Sequence, residues 1–219
     1  MRIIFQFPDW LQSLYRGVVW RVRSTGKVIY LTFDDGCIPE ITPRVLDILN
    51  RYGVKATFFC VGENIEKYPH IFRMLVDGGH AIGNHTYHHL PGWQTPTPDY
   101  LEDVLKTDAV IDSHLSKEDA QKRVRLFRPP YGRMRAGQKK ALQRSHKVVL
   151  WDVLTHDYNP CYTPEQIMRA IRTYSRNGSV VVFHDSLKAS GNMLAVLPQA
   201  LAFWLQEGYT LRTLNDLTD

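Results

Sequence analysis

The chain has 219 residues, of which 44% are hydrophobic and 22% are charged, and its formal net charge is +5. This length allows a single domain with a sizeable core. The composition excludes a transmembrane helix, because no stretch approaches the roughly 18 consecutive apolar residues that one needs. The basic balance permits an anionic partner, but no nucleic-acid-binding motif accompanies it, so we expect no nucleic acid to bind.

The three cysteines, Cys37, Cys60 and Cys161, contain no CxxC spacing and cannot all pair. This pattern excludes a disulfide framework and a thiolate metal site, and it fits a reducing compartment. Near the N-terminus, Pro8 and Asp9 stand where a signal peptide would have an uninterrupted apolar core. We therefore expect a cytoplasmic protein.

Residues 1–26 are predicted to form a segment separate from the units that follow. Residues 10–22 contain aromatic and aliphatic side chains at mostly helical spacing, with arginines nearby. Such a pattern indicates either a segment that packs on the domain or a peripheral contact with a membrane surface.

Strand-like and helix-like stretches alternate from residue 28 onward. The predicted strands are 28–33, 55–61, 80–84, 124–127, 147–153, 179–183 and 209–214. The predicted helices are 42–52, 69–76, 97–115, 163–177 and 194–206. Three of them are opened by a Thr-Pro pair, in which we expect the threonine to be the N-cap and the proline to lie in the first turn. Alternation of this kind predicts an α/β fold with a parallel sheet. Seven strands indicate a single-domain, TIM-like (β/α) barrel that is one unit short of eight.

Polar side chains gather at the predicted carboxyl ends of these strands. They come from five different units: Asp34 and Asp35, residues 85–89, Arg128, Asp157 and His184. The carboxyl ends of parallel barrel strands meet at one face, where barrel enzymes hold their active sites. Two adjacent carboxylates raise each other's pKa unless a positive charge lies nearby, so the pair at residues 34–35 predicts a cation there.

The stretch NHTYHH, residues 84–89, contains a candidate metal site. His85 and His89 lie four residues apart, and on a helical turn they would share one face. With a strand-end aspartate they form a three-ligand set that leaves one coordination position open, as catalytic zinc requires. His88 is the second choice as a ligand, because it pairs with His85 only at a spacing of three.

Four ordered segments, TFDDG, HTYHH, RPPYG and VFHD, together resemble the polysaccharide deacetylase family, the NodB-homology domain of carbohydrate esterase family 4. The resemblance covers residues 27–219. It implies a deformed (β/α)7 barrel that removes acetyl groups from sugars, most often N-acetylglucosamine units of a poly- or oligosaccharide. It also implies one divalent metal ion, zinc first, with cobalt, nickel or manganese as alternatives.

The same resemblance assigns roles to individual residues. It makes Asp34 the catalytic base, His184 the general acid, and the backbone N–H of Tyr131 a donor to the oxyanion. It places Asp157 beside His184 and makes Arg128 the residue that orients Asp34. The implied metal ligands are Asp35, His85 and His89.

The chain departs from the family pattern at several positions. Cys37 replaces a proline after TFDDG, Leu154 replaces an aspartate, Tyr158 replaces a tryptophan, and Val182 stands where leucine is frequent. Leu154, Tyr158 and Val182 are therefore the residues through which we expect the substrate pocket to differ.

Two alternatives keep the same resemblance: an O-acetyl esterase acting on a glycan such as acetylated xylan, and a catalytically idle glycan-binding protein. The basic residues between 117 and 147 are either a solvated surface or a docking site for an anionic saccharide beside the Arg128 loop.

Overall fold

The computed structural model describes residues 5–217, so the first residues of the predicted segment 1–26 and the last residues of the range 27–219 lie outside the described residues. The described part contains eight strands, nine α-helices and two short 3-10 helices, Pro130–Gly132 and Leu214–Asp216. The strands are β1 (Val28–Asp34), β2 (Thr57–Cys60), β3 (Ala81–Asn84), β4 (Leu126–Phe127), β5 (Lys147–Val148), β6 (Val153–Leu154), β7 (Ser179–His184) and β8 (Thr210–Arg212). The helices are α1 (Asp9–Leu14), α2 (Thr42–Arg51), α3 (Gly62–Lys67), α4 (Pro69–Asp77), α5 (Thr97–Ser113), α6 (Lys117–Lys122), α7 (Ala136–Leu142), α8 (Pro164–Tyr174) and α9 (Ser190–Gln206).

The strands form one parallel sheet in the order β5-β4-β3-β2-β1-β7-β6, and β8 pairs with the first residues of β1. β5 and β6, at the two ends of this path, are parts of one chain segment. The path therefore returns on itself, which gives the deformed (β/α)7 barrel of the sequence prediction. All residues of β1 are buried, as its unbroken apolar run predicts.

The predicted strand 147–153 is wrong as a continuous element. Val149 donates its N–H to the carbonyl of Phe127 in β4 at 2.8 Å, whereas Asp152 donates to the carbonyl of Val180 in β7 at 2.9 Å. Between them, Leu150 donates to Val19 of the N-terminal segment. The segment crosses from one neighbour strand to the other, so its ladder is interrupted and two short strands replace the long one.

The Thr-Pro pairs open helices in two different ways. Thr163 is the N-cap of α8 and its hydroxyl accepts from Gln166, as the motif predicts. Thr42 instead lies inside α2, after the N-cap Ile41, and its hydroxyl donates to Asp185 at 2.6 Å. Thr97 likewise lies inside α5, so the cap prediction was wrong at both positions.

The described residues of the N-terminal segment lie against the barrel where β5 and β6 separate. Val19 forms a parallel bridge with Val149, and Val22 donates to Gly178 at 2.9 Å. The buried carboxylate of Asp152 accepts from Gln6 at 3.1 Å and binds Arg176 at 2.7 Å. Of the helices between residues 5 and 217, none combines the length and apolar character that crossing a bilayer requires.

Candidate active site

Asp34 and Asp35, at the carboxyl end of β1, contact different partners. Asp34 is 3% exposed, and its Oδ1 accepts from Arg128 Nη1 at 2.6 Å. Asp35 follows with φ 86°, a conformation that a non-glycine residue adopts only where its surroundings enforce it. Its carbonyl accepts from the side chain of Asn64 at 2.8 Å, which anchors that turn. The two carboxylates are thus separated by the backbone geometry.

Arg128 is fully buried and provides the positive charge expected near the aspartates. Its guanidinium also donates to Thr32 Oγ1 at 2.8 Å and to the carbonyl of Leu150 at 2.9 Å, and it stacks on the Phe59 ring at 4.1 Å. Burial lowers the pKa of Arg128, and the charge of Asp34 opposes that shift. The guanidinium is held on several sides, so it fixes the orientation of the Asp34 carboxylate.

His85 and His89 meet, but not on a helical turn as predicted. Residues 85–90 form a loop after β3, with φ 63° at Thr86 and 54° at His89. Thr86 stabilises this loop, because its N–H donates to Asn84 Oδ1 at 2.9 Å and its hydroxyl accepts from Leu90. The two imidazole rings lie 5.1 Å apart between centroids. The two histidines therefore lie together as expected, but a loop and not a helical turn brings them there.

Asp35, His85 and His89 form a group that fits a metal ion. Their ligand atoms lie within 4.8 Å of one another, and Nε2 of His89 lies 3.4 Å from Asp35 Oδ1. His85 Nδ1 donates to the carbonyl of Arg128 at 2.8 Å, which leaves Nε2 as the ligand atom. Burial lowers the pKa of His85 to about 4, so its imidazole is neutral at pH 7, as a ligand must be.

The protonation of Asp35 fits the same role. Burial by itself raises its pKa, but the hydrogen bond from His89 and the charges of His184 and His85 hold it well below its usual range.

His88 points elsewhere, because its Nδ1 donates to Asp103 Oδ1 at 2.5 Å and its side chain is 53% exposed. The second-choice ligand of the sequence analysis is therefore outside the group.

His184 lies across the cavity at the end of β7. Its Nδ1 donates to Asp157 Oδ1 at 2.7 Å, and its backbone N–H donates to Asp157 Oδ2 at 2.8 Å. Burial alone would lower the pKa of His184, but the charge and hydrogen bond of Asp157, with Asp35 and Asp34 further away, raise it to about 9. The imidazole is cationic at neutral pH and can give up a proton from Nε2.

The cavity between these walls has a volume of about 470 Å³. It is lined by Asp34, Asp35, His85, His89, Tyr131, Gly132, Trp151, Leu154, Tyr158, His184, Ser186 and Lys188. Two of the positions that depart from the family pattern, 154 and 158, therefore do shape the cavity. Val182 does not line it: its side chain is fully buried, and its carbonyl accepts from the Thr155 hydroxyl.

Trp151, Ser186 and Lys188 line the cavity although the sequence had not singled them out, and the role of Asp185 was not predicted either. Asp185 is fully buried behind the site and accepts from the Gly36 N–H at 3.0 Å and from the Thr42 hydroxyl. A Cβ at Gly36 would lie 2.3 Å from Asp185 Oδ2, so only glycine fits there. The position beside His184 in VFHD was the one available signal for Asp185.

A family model of polysaccharide deacetylases matches residues 21–149, which is more than half of the chain. The chain belongs to this family. Polysaccharide deacetylases of this kind are hydrolases that act on amide bonds and use a divalent metal ion. The family assignment confirms the resemblance that the four sequence motifs carry.

Individual deacetylases resemble the chain along nearly its whole length. It is 32% identical over 203 residues to a peptidoglycan-N-acetylglucosamine deacetylase of Bacillus cereus, with 91% of this chain and 92% of that protein covered. It is also 32% identical to a chitooligosaccharide deacetylase of Azorhizobium caulinodans, over 92% of this chain and 90% of that one. A crystal structure of a peptidoglycan N-acetylglucosamine deacetylase superposes with a TM-score of 0.84 at 28% identity, covering 95% of both chains.

Proposed function

We propose that this protein is a metal-dependent hydrolase that removes N-acetyl groups from N-acetylglucosamine-type units of a poly- or oligosaccharide. One observation carries the proposal: a single cavity holds a metal-ligand group, a carboxylate fixed by a buried arginine, and a cationic histidine fixed by a carboxylate. Two of the relatives named above, a peptidoglycan-N-acetylglucosamine deacetylase and a chitooligosaccharide deacetylase, support this substrate class.

The metal would be held by Asp35, His85 and His89, whose two nitrogens and one carboxylate oxygen suit zinc and related divalent ions. When bound, such an ion polarises the acetyl carbonyl and makes water more acidic. The group fits because the one free ring nitrogen of His85 is directed by its hydrogen bond to Arg128.

Asp34 acts as the general base. Its carboxylate lies beside the ligand group and is bound to Arg128 instead of to the histidines, so it is available to take the proton of the attacking water. Arg128 acts through Asp34, because its Nη1 donates to Asp34 and Thr32 and its Nη2 donates to the carbonyl of Leu150. It is a positioning residue.

The water oxygen bonds to the acyl carbon, and the carbonyl oxygen acquires negative charge. The N–H of Tyr131, in the loop that lines the cavity, is the backbone donor proposed for that charge. The C–N bond then breaks, and the amine nitrogen leaves with the proton of His184. Acetate and a free amino sugar are the products.

Metal content and acetate release test the function together. We expect the purified protein to hold about one divalent ion per chain and to release acetate from N-acetylated chito-oligosaccharides, and removal of the ion with a chelator to abolish turnover. Acetylated xylan is the matched substrate, because it offers acetyl esters instead of amides. Acetate from xylan alone would replace the proposal by an esterase, and acetate from neither substrate with metal bound would refute it.

A further inference from the structure

Three cations lie on or beside the cavity: Lys188 lines it, and Arg133 and Arg135 contact Trp93 in a groove that shares Gly132 with the cavity. Some cations of the basic stretch noted in the sequence are neutralised by carboxylates: Arg123 and Arg125 bind Asp112 at 2.7 and 2.8 Å, and Arg128 binds Asp34. Arg133, Arg135 and Lys188 differ from these. They are exposed, and within residues 5–217 no ion pair joins any of them to a carboxylate.

One of these cations belongs to the His184 wall. Tyr158 packs edge-on against the His184 ring at 4.8 Å, and Lys188 Nζ lies 5.5 Å from the centre of the Tyr158 ring. Tyr158 and Lys188 both line the cavity. The wall therefore runs from the proposed proton donor across an aromatic ring to an ammonium group.

The opposite wall repeats this arrangement. Tyr131 packs against the His89 ring at 4.8 Å, and Trp93 packs against Tyr131 at 5.4 Å. The guanidinium of Arg133 lies 5.1 Å from the Trp93 ring, and Arg135 donates to the Trp93 carbonyl at 3.3 Å. This wall leads from the metal-ligand group across two aromatic rings to two guanidinium groups.

We propose that the substrate is an acetylated glycan whose sugar units carry carboxylates, and that Lys188, Arg133 and Arg135 bind those carboxylates on both sides of the reacting unit. This inference rests on the proposed function. Aromatic rings offer large apolar faces with little entropy to lose, which suits the C–H faces of sugars. Guanidinium groups bind carboxylates in a bidentate manner. A neutral glycan would leave all three charges unused.

Two substrates of equal length test the inference: an N-acetylated chito-oligosaccharide and the same oligosaccharide oxidised at C6 to carboxylate. We expect kcat/KM to be higher for the oxidised substrate at low salt. Lys188→Met and the pair Arg133→Gln with Arg135→Gln should each lower the ratio of the two kcat/KM values by about three- to fivefold, the size of an exposed ion pair. Lys188→Arg should restore it.

Lys117→Gln is the matched control, because Lys117 is an exposed cation on α6, which precedes β4 and so lies at the opposite end of the strands. It should leave the ratio unchanged. Raising the NaCl concentration from about 0.05 to 0.5 M should reduce the preference, since added salt screens exposed charges. The inference is overturned if the wild type does not prefer the oxidised substrate, or if the Lys188 and arginine variants prefer it as strongly as the wild type does. In either case the proposed function stands as long as the neutral substrate is turned over.

Oligosaccharide binding to the Asp34→Asn variant tests the inference in the case where the protein has no deacetylase activity. If neither substrate yields acetate, the proposed function fails, and the affinity of the oxidised oligosaccharide is then the readout. The carboxylate site would be supported if the double variant Asp34→Asn, Lys188→Met binds the oxidised oligosaccharide more weakly than Asp34→Asn does. Equal affinity for the oxidised and neutral oligosaccharides would refute it.

Discussion

Asp34 and Asp35 are neighbours in sequence with different surroundings, Arg128 for the first and His85 and His89 for the second. We predict that Asp35→Asn weakens metal binding, because a charged ligand becomes neutral. Asp34→Asn should keep the metal and lose about 10²- to 10⁴-fold in kcat, as removal of a general base does. Bound metal, kcat and KM decide between these effects. Metal loss in Asp34→Asn would contradict the assigned base.

The neighbouring histidines His88 and His89 form a natural pair of variant and control. His89 Nε2 faces Asp35, whereas His88 is engaged by Asp103. His89→Ala should lower the metal affinity strongly, because only two ligands would remain. His88→Ala should keep it. Calorimetric titration of the metal-free protein with zinc measures both, and the reverse order of affinities would mean that His88 is the ligand.

The ion pair between His184 and Asp157 sets the pH above which we expect kcat to fall. His184 must be protonated to serve the leaving amine, so kcat should fall as the pH rises through its pKa of about 9. Asp157→Asn removes the anion that raises this pKa. The alkaline limb of the profile, where kcat falls, should therefore move toward the ordinary histidine pKa of about 6.5. The folded-state pKa lies above the unfolded one, so the stability due to this pair is complete below about pH 6.5 and is lost as the pH rises through about 9.

Profiles of kcat against pH for the wild type and Asp157→Asn provide the measurement. His184→Ala is the control, since it should have low activity without that limb. A limb that stays in place in Asp157→Asn would assign the alkaline titration to another group.

At the scale of elements, Thr42 ties the start of α2 to the end of β7. Its hydroxyl donates to Asp185 and accepts from the Ile38 N–H at 2.9 Å, and both Thr42 and Asp185 are fully buried. Thr42→Val keeps the shape and removes both hydrogen bonds, so we expect a loss of about 1–3 kcal/mol in the free energy of unfolding. Urea denaturation measures it.

Thr173→Val is the matched control for this substitution. Thr173 lies exposed on α8, and its hydroxyl donates only to Arg169 of the same helix. Its replacement should change the free energy of unfolding by less than about 0.5 kcal/mol. Equal effects of the two substitutions would show that the contact between α2 and β7 adds nothing to stability.

At the scale of the whole molecule, α1 presents an apolar pair to solvent. Trp10 and Leu14 are 68% and 71% exposed and lie four residues apart, so they share a face of the helix, and the exposed Arg16 follows. We propose that this face contacts an anionic membrane surface. Wild-type protein should sediment with anionic vesicles, and Trp10→Ser with Leu14→Ser should weaken this binding by about tenfold or more.

Leu105→Ser is the control, because Leu105 is 63% exposed on α5, away from α1. Vesicle binding that is unchanged in the Trp10 and Leu14 variant would leave packing on the barrel as the only role of the segment. The cytoplasmic location expected from the sequence stays a prediction, which cell fractionation with an antibody to the chain would test.

The sequence by itself determined the barrel and most of the candidate site. The apolar run of β1, the alternation of elements and the polar residues at strand ends are local patterns, and each maps directly onto one end of a parallel sheet. The strand-end pattern of the sequence already grouped Asp34, Asp35, His85, His89, Arg128, Asp157 and His184, and the family resemblance supplied the roles that we propose for them.

Only the tertiary structure decided the features that depend on contacts distant in sequence. The break between β5 and β6 arises because one segment pairs with two strands, and Val19 enters the gap. The loop that joins His85 to His89 has left-handed residues that helical spacing cannot reveal. The positions of Lys188 and Trp93 beside the two histidine walls follow from packing between separate units, which no local periodicity encodes.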